Sequence, residues 1–237
     1  MGCASDMEIS VEWSLEIQKN FSNLSVCIGD IRDIHVEKHN TVLEDLKKTV
    51  YDEVKASYNI ENLKDNPTVR AYRDFYWKLG MDPTKIRPSG EALLRRVLNG
   101  NELPNISTAV DAYNLASLKM IIPISGFDKN ALQPPLKVRQ SQDGESFKGI
   151  GMDKPVSLTG SMLVLVDMEK VLCIYPYRDS DHSKITAATR DAVILGYGAP
   201  NVPETKLVQA VETALNYIKQ TSSGQIGSVK VFSLSPK

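Results

Sequence analysis

Cysteine is scarce in this sequence, and the few present do not pair. Cys3, Cys27 and Cys173 are odd in number, far apart and outside any CxxC or Cys/His spacing. That excludes a disulfide framework and a zinc site as organising features and fits a reducing, cytoplasmic setting. Long apolar runs are also missing. None approaches the ~18 residues of a membrane-crossing helix, and the opening MGCASDMEIS has no hydrophobic signal core. Gly2-Cys3 does not complete a myristoylation pattern, because Asp6 stands where Ser or Thr is required. Residues 1–6 are therefore expected to be a disordered or vector-derived tail, and 7–237 a single domain. Nor is there an excess of positive charge: 28 Lys and Arg against 29 Asp and Glu give a net charge of -1. A protein that grips a phosphate backbone over its whole surface is excluded, and any nucleic-acid contact must use a local patch. Three histidines without a cluster give no ground for a metal or a cofactor.

What is present is an apolar content of 42% over 237 residues, enough for a sizeable core. Apolar residues at Met7, Ile9, Val11 and Trp13 alternate as in a strand. A short helix over Leu15 to Phe21 follows, then a strand from Val26 to Ile31 with Gly29 as a candidate bulge. Thr41 is placed to cap a helix to Asn59 whose inner face carries Val42, Leu46, Val50, Val54 and Tyr58. Asn66-Pro67 opens the next helix, with Val69, Tyr72, Tyr76 and Trp77 inside and Arg70, Arg73 and Lys78 outside, stopped at Gly80. Three aromatics at helical spacing are expected to be core rather than a platform for bases.

The densest run of signals lies between Gly80 and Asp128. Ser89, then Glu91, then the Leu93, Leu94, Val97, Leu98 stripe predicts a capped helix ending at Gly100. Lys85, Arg87, Arg95 and Arg96 make this the most basic part of the chain. They are candidate phosphate contacts, unless Arg95 and Arg96 pair with Glu91 or Glu102. Ser107 to Met120 has a broad apolar face and reads as a deeply buried helix. Asp111 and Asn114, one turn apart on it, must tie down loop backbone or line a pocket. Ile121 to Ile124 reads as a short strand, and Ser125-Gly126 as the turn after it.

These residues carry a family resemblance. KIRPSGEALLRRVL at Lys85 to Leu98, LPNI at Leu103 to Ile106, VDAYNLASL at Val110 to Leu118 and PISGFD at Pro123 to Asp128 resemble the B3/B4 domain family, which is known from the beta subunit of phenylalanyl-tRNA synthetase and from free-standing proteins. The likeness extends from roughly Glu12 to Ile218 and includes Val138-Arg139, Gly144 to Phe147 and Ile185 to Thr189. Independently, alternation predicts strands over Val156 to Val166 and Val171 to Tyr175, joined through Asp167 to Lys170. A further strand is expected at Ala192 to Tyr197, a helix at Pro203 to Lys219 and a last strand at Ser228 to Leu234. The expected fold is α+β, helical in its N-terminal half and strand-rich in its C-terminal half, with mixed or antiparallel sheets and helices around a central pocket as the resemblance implies.

The resemblance implies a module that binds tRNA or aminoacyl-tRNA and hydrolyses mischarged aminoacyl-tRNA in trans. A complete synthetase is not expected in this length. Asp111, Asn114, Ser125, Arg178, Asp179 and Gly196 are the expected pocket residues, with no catalytic residue singled out. Ser125 stands where the synthetase has His, and Gly196 where it has the Glu that contacts a tyrosine hydroxyl. Without that acceptor, selection of tyrosine is not expected. Asp179, Ser180 and His182 have the residue types of a nucleophilic triad, but neighbours in one loop point in different directions. The rival reading is a non-catalytic binder of a free amino acid or small molecule, or a protein-docking module.

Overall fold

A computed structural model describes residues 9–234. The expected tail at 1–6 and the first residues of the predicted opening strand lie outside them. In chain order the elements are β1 (Val11–Trp13), α1 (Leu15–Asn20), β2 (Ser25–Arg32), α2 (Thr41–Ser57), α3 (Pro67–Lys78), α4 (Ser89–Leu98), α5 (Thr108–Met120), β3 (Ile124–Asp128), β4 (Leu136–Gln140), β5 (Ser146–Phe147), β6 (Val156–Ser157), β7 (Leu163–Val166), β8 (Val171–Ile174), β9 (Arg178–Asp179), β10 (Ala192–Tyr197), α6 (Glu204–Ser222) and β11 (Gln225–Ser233). The fold is α+β, as expected.

Two sheets dominate. One is antiparallel in the order β11-β2-β10-β3; the other runs β1-β4-β7-β8-β9, antiparallel except for the parallel pair β1-β4. The largest core joins residues of both sheets with α3, α5 and α6. A second core lies among α2, α4 and the remaining face of α5. The outer face of the five-stranded sheet, through Val164, Val166, Val171 and Ile174, packs on Phe147 and Leu158 beside the small β5-β6 ladder.

α6 lies close on the four-stranded sheet because glycines face it. A Cβ on Gly29 would come within 2.6 Å of Leu215, and one on Gly196 within 2.9 Å of Val211. Gly29 is therefore a close-approach residue in regular pairing, not a bulge. The irregularity falls on the partner strand, between Ile226 and Val229, where Ser228 donates its backbone N–H and hydroxyl to Asp30.

Several local expectations shift by a residue or a face. Asn40, not Thr41, caps α2, accepting from the Leu43 N–H at 2.9 Å, and Val42 faces solvent while Leu43 is buried. Ser89 is the first residue of α4, after Pro88, and provides no cap. On α3 the buried aromatics are Tyr72, Phe75 and Tyr76; Trp77 is 57% exposed. Three consecutive aromatics subtend more than one helix face can bury. α5 ends with Ile121 at φ 59°, so no strand begins there, and Ser125-Gly126 lies inside β3 rather than in a turn. Gly126 is needed because the Tyr113 ring crosses β3 where a Cβ would stand, 2.7 Å from Tyr113 Cε1.

Candidate functional site

Alternation along the strands decides which side chains meet. In β9, Asp179 pairs with Cys173 and Arg178 with Ile174. Cys173 belongs to the main core and Ile174 to the outer one, so Asp179 faces the four-stranded sheet and Arg178 faces away. The same rule sends Gly196 toward α6 and its neighbour Tyr197 to the opposite face of β10.

The inward side chains form a cluster. Ser125 Oγ donates to Asp179 Oδ1 at 2.6 Å, and Tyr197 Oη lies 3.3 Å from the same oxygen and 3.0 Å from Cys173 Sγ. Tyr197 has one proton, so it serves one of these two partners at a time. Both contacts fall on Oδ1, and no group among the described residues donates to Oδ2. The residue keeps some solvent contact. Burial pushes the Asp179 pKa up to about 6, against the opposing pull of the Ser125 and Tyr197 hydrogen bonds. Burial also pushes the Cys173 thiol well above its ordinary value, with the Asp179 charge adding to it, so this cysteine is not a thiolate nucleophile.

α3 buttresses the cluster. The Tyr72 hydroxyl donates to the Tyr197 carbonyl at 2.5 Å, and that of Tyr76 to the Pro176 carbonyl at 3.3 Å. The Tyr175 ring meets that of Tyr197 edge to face, with centroids 4.8 Å apart.

Of the six expected pocket residues, the structure brings Ser125 and Asp179 together. Arg178 lies on the other face of β9, where its guanidinium reaches the Ile150 carbonyl at 3.2 Å and the Tyr177 ring. Gly196 packs on α6. Asp111 is buried elsewhere: Oδ1 accepts from the Ile106 N–H at 3.0 Å, and Oδ2 is 3.1 Å from Lys47 Nζ, an ionic contact without hydrogen-bond alignment. It thus ties down the loop before its own helix. Burial pushes the Lys47 pKa down, and Asp111 and Glu44 more than restore it. Asn114 is half-buried and makes no hydrogen bond to Asp111 or to the cluster. Tyr197 and Cys173 were not singled out in the sequence; the only signal for them is the period-two alternation next to Gly196 and within the β8 run.

The triad types do not assemble. Ser180 Oγ accepts from the His182 backbone N–H at 3.2 Å, and the His182 ring lies 3.1 Å from Lys170 Nζ.

The four basic candidates also divide. Glu91, 1% exposed on α4, receives Arg73 in a two-pronged pair at 2.8 and 2.5 Å and Arg95 at 2.6 Å. Burial pushes the Glu91 carboxyl up, and the two guanidiniums overcome it, holding the carboxyl below its usual range. Arg73, expected to face outward, is therefore a strut between α3 and α4, and Arg95 is committed to the same carboxylate. Arg96 is exposed and donates to the Glu102 carbonyl; Lys85 and Arg87 are exposed in the loop before α4. Gly90, in the first turn of α4, packs on the Ile121 and Ile122 backbone at the end of α5.

The architecture is that of an α+β protein with a half-buried, hydroxyl-bonded carboxyl between two sheet edges. A family model described as the B3/4 domain matches residues 71–223, and the chain belongs to that family. Its curated relatives include the phenylalanine–tRNA ligase beta subunit of Pseudomonas savastanoi pv. phaseolicola, 32% identical over 106 residues, which are 44% of this chain and 13% of that protein. The corresponding subunit of Chromobacterium violaceum is 27% identical over 161 residues, 58% of this chain and 20% of that protein. The chain thus spans no more than a fifth of the length of these two relatives. Among solved structures, an N-terminal fragment of the phenylalanyl-tRNA synthetase beta subunit from Pyrococcus horikoshii aligns with a TM-score of 0.48 at 12% identity, covering 92% of this chain and 50% of that one. Among the described residues, no helix is long and apolar enough to cross a membrane.

Proposed function

We propose that this B3/4 protein binds the aminoacylated end of a tRNA and hydrolyses the ester in trans, with Asp179 as general base. The observation that carries the reading is the Asp179 carboxyl: poised near pKa 6 by burial, held through Oδ1 by Ser125 and Tyr197, and without a donor at Oδ2 among the described residues. A base with that pKa is mostly ionised at neutral pH and still accepts a proton usefully. It would take one proton from water as the oxygen attacks the ester carbonyl. When the ester C–O bond breaks, the proton passes to the leaving ribose oxygen, releasing amino acid and tRNA. Lys85, Arg87 and Arg96, which are exposed, would supply phosphate contacts.

The test is deacylation of a panel of mischarged tRNAs by the purified protein. Hydrolysis of at least one, lost in Asp179→Asn and rising with pH through about 6 in the native protein, is the expected result. No hydrolysis of any tRNA, together with saturable binding of a free amino acid that Asp179→Asn abolishes, would replace it with the reading as a non-catalytic binder.

A further inference from the structure

Trp77 is the aromatic of α3 that the core leaves outside. It is 57% exposed while Tyr72, Phe75 and Tyr76 beside it are buried, and an indole held on a helix offers a partner its ring face. Its neighbours on the same side of the helix are Arg73 and the exposed Asp74, one turn back, and the exposed Arg70, two turns back. Arg73 is not free to swing, since Glu91 holds it in a two-pronged pair. One buried carboxylate between Arg73 and Arg95 leaves that junction with a net positive charge.

The charge is local. Residues 70–96 carry seven Lys or Arg and three Asp or Glu, in a chain whose net charge is -1. The position is tied to the candidate site: the buried face of this helix puts Tyr72 on the Tyr197 carbonyl and Tyr76 on the Pro176 carbonyl. Trp77 therefore lies about one helix diameter, roughly 10 Å, from the strands that carry Asp179.

We infer that Trp77, with Arg70 and Arg73 on the preceding turns of the same helix, is a base-stacking platform for the single-stranded end of an RNA whose terminus reaches the Asp179 cluster. An aromatic face with guanidiniums along one side of it matches the two elements of single-stranded nucleic acid, a π-face per base and a phosphate between bases. A protein partner would gain from the Trp but meets the net positive charge of residues 70–96, so charge complementarity favours the polyanion. The inference rests on the reading of the protein as an aminoacyl-tRNA binder, and it adds a contact that reading does not require.

The experiment uses the full chain, deacylated tRNA and a short single-stranded RNA ending in CCA. The protein has two tryptophans, Trp13 and Trp77. RNA is expected to quench tryptophan emission in the native protein and to leave emission unchanged in Trp77→Phe, where only Trp13 reports. Trp77→Ala is expected to weaken binding of both RNAs about tenfold, Trp77→Phe much less, and Arg70→Ala to flatten the salt dependence. Because Trp77 is exposed, its variants should keep the native melting temperature, which separates loss of contact from loss of fold. RNA binding that is indifferent to Trp77 and does not quench it overturns the inference, and hydrolysis that still depends on Asp179 would then leave the proposed function standing. Trp77-dependent RNA binding without any deacylation supports the platform and removes the hydrolytic role. Absence of RNA binding sinks both.

Discussion

Ser125 on β3, the edge of one sheet, donates to Asp179 on β9, the edge of the other, at 2.6 Å across 54 residues of sequence. The bond favours the ionised form of a carboxyl that burial disfavours. Ser125→Ala removes that support. The Asp179 pKa should rise further, and the acid limb of the pH profile for deacylation should move up by roughly half a unit to one unit. A profile that stays in place would show that Asp179 is not the titrating base.

Asp179 also carries a stability signature. Its folded pKa, about 6, lies above the ordinary 3.8, so the protonated form is the one that folding favours. Stability from this group is full below about pH 4 and is lost as pH rises through 6. Asp179→Asn should therefore be more stable than the native protein at pH 7, by on the order of 2 kcal/mol, and the advantage should vanish at pH 4. Urea melts at the two pH values measure it.

Glu91 behaves in the opposite sense. Arg73 and Arg95 hold its pKa below 4.5, so its contribution is present above that value and is lost as pH falls through the depressed pKa. Glu91→Gln breaks a buried ionic strut between α3 and α4 and should cost about 3 kcal/mol at pH 7, a difference that shrinks in acid. Denaturant midpoints across that range are the check.

The basic candidates should separate by experiment. Lys85→Ala and Arg87→Ala, on exposed side chains of which Lys85 has a loose surface ion pair to Asp82 at 3.9 Å, should each lower the salt slope of tRNA binding by about 1 with nearly unchanged melting. Arg95→Ala should instead lower the melting temperature, because its guanidinium is spent on Glu91. Filter binding at several salt concentrations beside thermal melts distinguishes the two classes.

Gly196→Ala should affect packing and not chemistry. Its Cβ would stand 2.9 Å from Val211 and 3.0 Å from Leu207 on α6, a crowding that costs about 1–3 kcal/mol. A lower melting temperature with an unchanged pH profile is the expected outcome.

The sequence by itself determined the elements and the family. Periods of 3.6 and 2 located the six helices and the principal strands, because burial of one face imposes them locally. The runs from Lys85 to Asp128 carried the resemblance that the match over 71–223 bears out. Tertiary structure alone decided which faces meet. Asp179 and Arg178 are adjacent in the chain, and the pleat sends them to opposite sides of one sheet; Tyr197 rather than Gly196 faces the carboxyl for the same reason. The fate of Arg73 and Arg95 depended on a buried carboxylate that serves two helices, and the exposure of Trp77 on how many aromatics one helix face can bury. Periodicity states which residues share a face; the partner across that face is set by strands and helices tens of residues away, whose packing no local pattern encodes.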